Sequence, residues 1–218
     1  MFMTATLRNF LENYEKTLPL EQFAQLKWDI EAATDMYSNE LAKAAPGVER
    51  GRKVHELIEQ EIAKSQHIAV SCFKGCSACC HFEVEITGDD AKVLHNAVAG
   101  GVPVDRERLA KLAQRVRQGS EWKKGMVASN RCLFLGEDNA CRVYDSRPAA
   151  CRKLSVVSDP SECAKTDGQP LPRVIPMVEV ILSAALSFSD SKYGAFAKML
   201  NETFQPEVPV APQITSLV

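Results

Sequence analysis

The feature that most constrains this chain is the segment CFKGCSACC at residues 72–80, which places four cysteines within nine positions. The whole sequence of 218 residues contains eight cysteines. An even number of cysteines could pair in disulfides, but disulfides are typical of oxidising compartments and of scaffolds too small for a core. With 45% hydrophobic residues, this chain can form a core of its own. The cysteines therefore indicate metal or redox chemistry.

The first residues and the overall charge favour a cytoplasmic protein. The stretch MFMTATLRNFLENYEKT lacks the unbroken apolar segment and the small-residue cleavage site of a signal peptide. The most apolar segment, 174–188, is shorter than the roughly 20 residues that span a bilayer, and it contains Glu179. The net charge of −2, with no stretch dense in lysine or arginine, argues against nucleic acid or a membrane as partner. We expect a metal ion or cluster as partner, and a protein partner is not identified.

Hydrophobic periodicity predicts a mainly α fold with short strands or a small β-hairpin, in which helices surround a cysteine-rich metal-binding core. Helical spacing covers most of residues 1–67 and is broken by Pro46 and Gly47. Farther along the chain, apolar residues recur at helical spacing over 105–117, and a long helix or helix pair is predicted from about 174 to 204.

The segments around the cysteines contain shorter elements. Apolar and acidic residues alternate over 82–86, which predicts a strand. Thr87 and Asp90 have the spacing of a helix N-cap. The segment 132–144 is predicted to form a hairpin, and Pro148 is placed to begin a short helical turn. Serine, aspartate, glycine and proline over 155–172 predict a loop.

The length of the chain favours one globular domain with distinct regions. These are an N-terminal helical region at 1–67, a metal-binding core at 68–165, a C-terminal helix at 166–205 that packs on this core, and a flexible tail at 206–218. The tail is predicted from three prolines in its sequence QPEVPVAPQITSLV.

The eight cysteines fall into two groups, both of which are candidate metal ligands. The tight group consists of Cys72, Cys76, Cys79 and Cys80, and the wider group of Cys132, Cys141, Cys151 and Cys163. Thiolate sulfur is a soft ligand that suits zinc and iron–sulfur clusters. Short gaps let one turn aim several sulfurs at one point, and Gly75 permits the backbone bend. We do not expect the four histidines to be ligands, although His81 directly follows the tight group.

The adjacent pair Cys79 and Cys80 could serve one centre or two, since successive side chains of extended backbone point to opposite faces. Eight thiolates around one ion would be too costly to bury. Two centres, one polynuclear cluster, or partly protonated cysteines therefore stay open. Arg147 and Arg152 flank Cys151, and we expect both to donate hydrogen bonds to sulfur.

The runs CFKGCSACCHFEVEIT and RCLFLGEDNACRVYDSRPAACRKLS resemble the YkgJ-type cysteine cluster proteins, which are the CxxCxxCC family of zinc- or iron-chelating domains. The resemblance covers about residues 70–163. The matched positions are Cys72, Cys76, Cys79, Cys80, Cys132, Phe134, Leu135, Cys141, Val143, Tyr144, Arg147, Pro148, Cys151 and Arg152. Two departures are the CxxxC gap, where many members have CxxC, and Leu133, where many have proline.

This resemblance implies metal binding in a structural, redox or sensing role. A similar cluster occurs in flagellin lysine N-methylases, where it is associated with an iron–sulfur centre. The resemblance therefore favours an iron–sulfur cluster or iron, with zinc as the alternative. It also admits a second function, that of an iron–sulfur-dependent protein-modifying enzyme related to those methylases.

Two further interpretations are less favoured. The CxxxCxxC spacing of Cys72, Cys76 and Cys79 is that of radical S-adenosylmethionine enzymes, but such enzymes need a long alternation of strands and helices after the motif. A disulfide between Cys79 and Cys80 would be a strained redox switch. No nucleophile and base arrangement, phosphate loop or dinucleotide fingerprint is recognisable, so the sequence identifies no catalytic residue.

Overall fold

A computed structural model describes residues 3–73, 75–117, 119–120, 122 and 125–205, and within them the fold is mainly α with one small antiparallel sheet, as predicted. The expected tail at 206–218 lies outside the described residues. The α-helices are α1 (Ala5–Glu15), α2 (Leu20–Leu41), α3 (Val48–Lys64), α4 (Gly88–Ala99), α5 (Arg106–Ala113), α6 (Ala149–Lys153), α7 (Ser161–Ala164), α8 (Pro176–Leu186) and α9 (Phe196–Glu202). The strands are β1 (Glu85–Thr87) and β2 (Tyr193–Ala195).

Helices α1, α2, α3 and α8 form the first hydrophobic core, and we call these four helices the helical body. The apolar positions predicted from the spacing of the first 67 residues face this core, except Tyr14, which is 39% exposed. Leu41, Ile58 and Ile181 are completely buried at its centre. Burying one such side chain stabilises a fold by about 1.5–3 kcal/mol, so packing of apolar side chains accounts for this part of the molecule.

Helix α8 contains most of the apolar segment singled out in the sequence. It begins with Pro176, whose missing N–H costs nothing at the first helical position. It packs against α2 and α3. Among the helices that the structure describes, none is both long and apolar enough to cross a bilayer.

A second core lies between α4, α5, α9 and the sheet. Strand β1 pairs with β2 with Ile86 opposite Gly194. The strand predicted at 82–86 is therefore shorter than expected and displaced toward Thr87. Of the long helix or helix pair predicted over 174–204, the pair is observed, as α8 and α9. Strand β2, which was not predicted, lies between them and satisfies backbone groups of β1.

Asp90 joins three helices at the edge of the cysteine-containing segment. It forms the predicted capping box with Thr87 at the start of α4. Its other carboxylate oxygen lies 2.7 Å from Nε2 of His55 on α3 and accepts the N–H of Ala149, at 3.0 Å, at the start of α6. Burial raises the pKa of this carboxyl, but the hydrogen bonds from His55, Ala149 and Thr87 outweigh burial and hold the pKa below its usual value.

The remaining segments are more irregular than the sequence predicts. The hairpin expected at 132–144 is a tight turn with a single bridge, between Leu135 and Cys141. The loop expected at 155–172 contains the short helix α7 and a bridge between Val156 and Pro172. The helical turn predicted after Pro148 is helix α6.

Candidate metal centre

Four segments bring the eight cysteines into one region of the molecule. Two backbone hydrogen bonds join these segments directly. The N–H of Cys132 donates to the carbonyl of Cys80 at 2.7 Å, and the N–H of Ser71 donates to the carbonyl of Val156 at 2.9 Å. The tight group and the wider group of cysteines are therefore neighbours in space.

The first segment makes two turns. Gly75 has φ of +93°, a conformation that L side chains rarely adopt, and the N–H of Cys76 donates to the carbonyl of Phe73. The 3₁₀ turn Ala78–His81 then follows. Because such a turn has three residues per revolution, the side chains of Cys79 and Cys80 leave the backbone about 120° apart. Their thiols nevertheless remain in hydrogen-bond contact.

The motifs CLF and CRV place Cys132 and Cys141 in the same way. In each motif the N–H two residues after the cysteine donates to its sulfur, from Phe134 to Cys132 and from Val143 to Cys141. Phe134 is completely buried in the second core and Val143 is buried beside it. The apolar residue of each motif therefore anchors a turn whose amide points at sulfur.

Cys151 and Cys163 come from the short helices α6 and α7. Pro148 precedes α6, and the N–H of Cys151 donates to the carbonyl of Pro148. Helix α7 packs against the 3₁₀ turn of the first segment, which brings Cys163 toward the tight group. All eight cysteines are free thiols, so the disulfide between Cys79 and Cys80 considered above is not formed.

The cysteines line two adjoining cavities of different size. The large cavity has a volume of about 700 Å³ and the small cavity about 110 Å³. Cysteines that line only the large cavity are Cys80, Cys132, Cys141 and Cys151. Those that line both are Cys72, Cys76 and Cys79, whereas Cys163 lines only the small one.

Most of these thiols are held in the protonated form by their surroundings. Burial raises the pKa of Cys132 to about 11 and also raises those of Cys141, Cys151 and Cys163. The charges of neighbouring cysteines contribute in the same direction. A bound cation would reverse this effect, because it stabilises the thiolate form of each ligand.

Cys79 differs from the other buried thiols. A hydrogen bond from the Cys80 thiol lowers the pKa of Cys79 to about 7, and the positive charge of Arg147 contributes in the same direction. The same hydrogen bond raises the pKa of Cys80. Among the cysteines with a shifted pKa, Cys79 is therefore the one whose thiolate is favoured, and it lines both cavities.

Among the described residues that line the large cavity, the charged side chains are all arginines. They are Arg115, Arg131, Arg147, Arg152 and Arg173. Among the same described residues, the buried polar atoms without a hydrogen-bond partner are Nε of Arg147, Nε of Arg173 and Oγ of Ser155. These donors could bind the negative charge of a metal centre whose ligands are cysteine thiolates.

Arg147 and Arg152, both predicted to interact with sulfur, differ in their surroundings. Arg152 donates through its three nitrogens to oxygens of Arg147, Glu59 and Asp145. The guanidinium of Arg147 lies 4.2 Å from the ring centre of Tyr144 and 3.6 Å from Glu59, and its Nε has no partner. Arg152 thus fixes the turn, and of these two arginines Arg147 is the one with a free donor near the thiols.

The histidines have other partners. The ring of His81 lies 3.2 Å from the carbonyl of Ser77, that of His55 contacts Asp90, and that of His95 packs on Phe204. No histidine is among the described residues that line either cavity.

The sulfurs surround the cavities and do not converge on a point. Within the described part of the chain, no three histidine, cysteine, aspartate or glutamate side chains lie close enough to hold one metal ion. Each cysteine has one side-chain torsion that moves its sulfur, so metal binding would act through these rotations. The donor set of soft thiolates with N–H groups directed at them fits zinc or iron in chemical type.

Ser155 and Arg173 were not identified in the sequence. They face each other across the backbone pairing in which the N–H of Arg173 donates to the carbonyl of Ser155 at 2.9 Å. The two residues are distant in sequence, since Ser155 begins the segment predicted as a loop over 155–172 and Arg173 directly follows it. The one sequence signal for the pairing of Ser155 with Arg173 is the Pro-Leu-Pro-Arg sequence at 170–173, which favours extended backbone.

Comparison with protein families agrees with this geometry. Residues 71–168 match the model of the CxxCxxCC family, described as "Putative zinc- or iron-chelating domain". The match covers 98 of the 218 residues, and because of this similarity we call residues 71–168 the CxxCxxCC domain. No curated protein matches the chain, and no solved structure matches it.

The CxxCxxCC domain contains all eight cysteines, together with α4 to α7. The helical body and α9 lie outside it. The resemblance inferred over residues 70–163 is confirmed by this match. The family description supports chelation of zinc or iron and does not distinguish the two metals.

Proposed function

We propose that this chain is a metal-binding protein whose cysteines hold iron, in an iron–sulfur cluster, with zinc as the alternative metal. The observation that carries the proposal is that eight cysteines from four segments line two adjoining cavities. The described lining residues of the larger cavity include five arginines and no carboxylate. Thiolates, positive charge and the lack of a carboxylate among these described residues together favour a soft metal.

The size of the large cavity supports a cluster in preference to a single ion. At about 700 Å³ the cavity exceeds what one tetrahedral ion would fill, and its cysteines lie around it without converging. The amides of Phe134 and Val143 donate to sulfur, and hydrogen bonds of this kind tune the potential of an iron–sulfur cluster. The cluster would supply an electron-accepting centre, and the protein's amides and Arg147 would stabilise its negative charge.

The role that the surroundings favour is structural, with redox or metal sensing as a further use of the same centre. The apolar cluster next to the small cavity has three buried members, Ala78, Val156 and Cys163. Such a cluster cannot order a long irregular segment by itself. A four-thiolate metal site contributes roughly 10–16 kcal/mol of apparent binding free energy, which is enough to do so. The protein-modifying alternative stays a prediction of the sequence resemblance.

Anaerobic purification of the full chain tests the proposal. We expect bound iron, acid-labile sulfide and a broad visible absorbance band from sulfur-to-iron charge transfer. Stoichiometric zinc in a colourless protein would support metal binding but contradict the cluster. A folded protein without stoichiometric metal would contradict the proposed function itself. The variant C132A should lose metal, and S71A, which changes an exposed side chain beside the same cysteines, should retain it.

A further inference from the structure

We propose that the eight cysteines form two separate centres, each with four ligands. Cys72, Cys76, Cys79 and Cys163 would hold a single zinc or iron ion. Cys80, Cys132, Cys141 and Cys151 would hold the iron–sulfur cluster. This inference rests on the proposed function and adds which cysteines serve which centre.

The position of Cys163 separates the two sets. Cys163 lines only the small cavity, and the other cysteines of that cavity are Cys72, Cys76 and Cys79. These four cysteines are therefore grouped by the walls of one cavity.

The other four cysteines are absent from the small cavity and line the large one. The hydrogen bond between the carbonyl of Cys80 and the N–H of Cys132 ties the two segments together. Cys141 lies opposite Leu135 in the turn that begins at Cys132. Cys151 lines the same cavity from the start of α6. The second set is thus defined by the walls of the large cavity.

The boundary between the sets runs through the peptide bond that joins Cys79 to Cys80. The 3₁₀ turn directs these adjacent side chains about 120° apart, so that one can serve each centre. A second boundary is the pairing of Val156 with Pro172. Both residues line the small cavity, whereas Arg173, one residue farther along, lines the large cavity.

The surroundings of the two sets suit different metal centres. The small cavity of about 110 Å³ is lined by no described charged side chain, and the N–H of Val156 donates to Sγ of Cys72 at 3.4 Å. In donor type and charge such a site fits one ion held by four thiolates, once rotation of the cysteine side chains brings the sulfurs together. The large cavity has more volume and five arginines, which fits a bulkier anionic cluster.

Two matched variants of the full chain test this division after anaerobic purification. In C163A, we expect loss of one equivalent of ion, with labile sulfide and the visible band retained. In C151A, we expect the reverse, with loss of sulfide and of the band and retention of the single ion. Circular dichroism of the helical body serves as the folding control. Loss of the same metals in the same proportion from both variants would overturn the division.

Native mass spectrometry of the unmodified protein gives a test that does not depend on how the variants fold. We expect two separate mass increments, one for a single ion and one for an iron–sulfur cluster, which are released at different chelator concentrations. One increment, released in one step, would overturn the division and leave the proposed function standing. A spectrum with no metal increment would instead contradict the proposed function.

Discussion

The helical body and the CxxCxxCC domain are stabilised in different ways. The helical body packs fifteen buried apolar residues into one continuous cluster, which includes Ala149 from the domain. Around the small cavity of the domain, the corresponding cluster has three. Phe134 and Val143 of the domain are buried, but in the core formed with α4, α5 and α9. The helical body can therefore fold by burial of apolar side chains. The cysteine segments need a further source of order, and we propose that bound metal supplies it.

Removal of the metal should have the largest effect and should separate the two regions. After anaerobic chelation, we expect the cysteine segments at 71–82, 131–144 and 154–168 to lose protection in amide hydrogen exchange. The reason is loss of roughly 10–16 kcal/mol of apparent metal-binding free energy. The helical body should keep its protection. Unchanged protection throughout the domain after complete removal of metal would contradict the structural role.

Truncation of a buried side chain in the helical body should have a smaller effect, and this effect should fall on the stability of the fold and not on the metal content. Ile58 is completely buried in α3, so I58A removes contacts and leaves a cavity. We expect a loss of about 2–5 kcal/mol in the free energy of unfolding, with the metal content unchanged. The matched control is M36A on α2, where the side chain is 55% exposed and the loss should be below about 1 kcal/mol. Urea unfolding with metal analysis gives both quantities, and metal loss in folded I58A would break the comparison.

Asp90 links the two regions, and its removal should affect both. In D90A, the buried groups of His55, Thr87 and Ala149 lose their acceptor. We expect a loss of about 3 kcal/mol in stability, since each unpaired buried group costs about 1–3 kcal/mol and relaxation recovers part of it. Helix α6 should also be less ordered, with weaker metal retention. Full metal retention together with wild-type stability would show that Asp90 is not a link.

The pH dependence of Asp90 has a definite sign. Because its pKa in the folded protein lies below the usual value of 3.8, its ionised form stabilises the fold above that value. This contribution is lost as the pH falls through the lower, folded-state pKa. Hydrogen exchange of α3 and α4 at acid pH should therefore rise less steeply in D90N than in the unmodified chain. An equally steep rise in both proteins would contradict this assignment.

The sequence predicts the local elements better than it predicts the contacts between them. Apolar spacing locates α1 to α3, Thr87 and Asp90 locate the start of α4, and Pro148 locates the start of α6. Strand β2 is missed because its three residues form a strand only by pairing with β1, which is distant in the chain. The second role of Asp90, toward Ala149, is missed for the same reason.

The candidate site is predictable in its residue types but not in its division. The soft-ligand chemistry of eight cysteines follows from the sequence. So does the question of whether the adjacent Cys79 and Cys80 serve one centre or two. The two cavities depend on how 155–157 pairs with 171–173, which no local pattern shows. Ser155 and Arg173 become relevant only through that pairing. The metal-ligand role of each cysteine stays a prediction.

Arg147 should have a moderate effect confined to the domain. Its guanidinium has a free Nε near the thiols, so R147M removes a charge and a donor while keeping an apolar stem. We expect the metal to be released faster, by about tenfold, which corresponds to roughly 1.4 kcal/mol for a hydrogen bond to a charged group. The control is R142Q, since Arg142 is exposed although it directly follows Cys141. Equal rates of metal release from both variants would contradict the proposal that Arg147 stabilises the metal centre.

An exposed ion pair should have the smallest effect. Lys111 lies 2.6 Å from Glu107 on α5, and both side chains are largely exposed. We expect K111A to change the free energy of unfolding by less than about 0.5 kcal/mol, because solvent screens such pairs. Thermal unfolding and metal analysis should both match the unmodified protein. A larger effect in either would show that α5 is coupled to the metal centre more closely than its packing indicates.

X-ray absorption at the metal edges of the anaerobically purified chain tests the central claim most directly, because it reports which atoms bind the metal. We expect a first shell made of sulfur alone, with metal–sulfur distances of about 2.3 Å for zinc. If the cluster is present, we also expect an iron–iron distance. A first shell of oxygen or nitrogen would contradict the claim that the cysteines of the CxxCxxCC domain hold the metal.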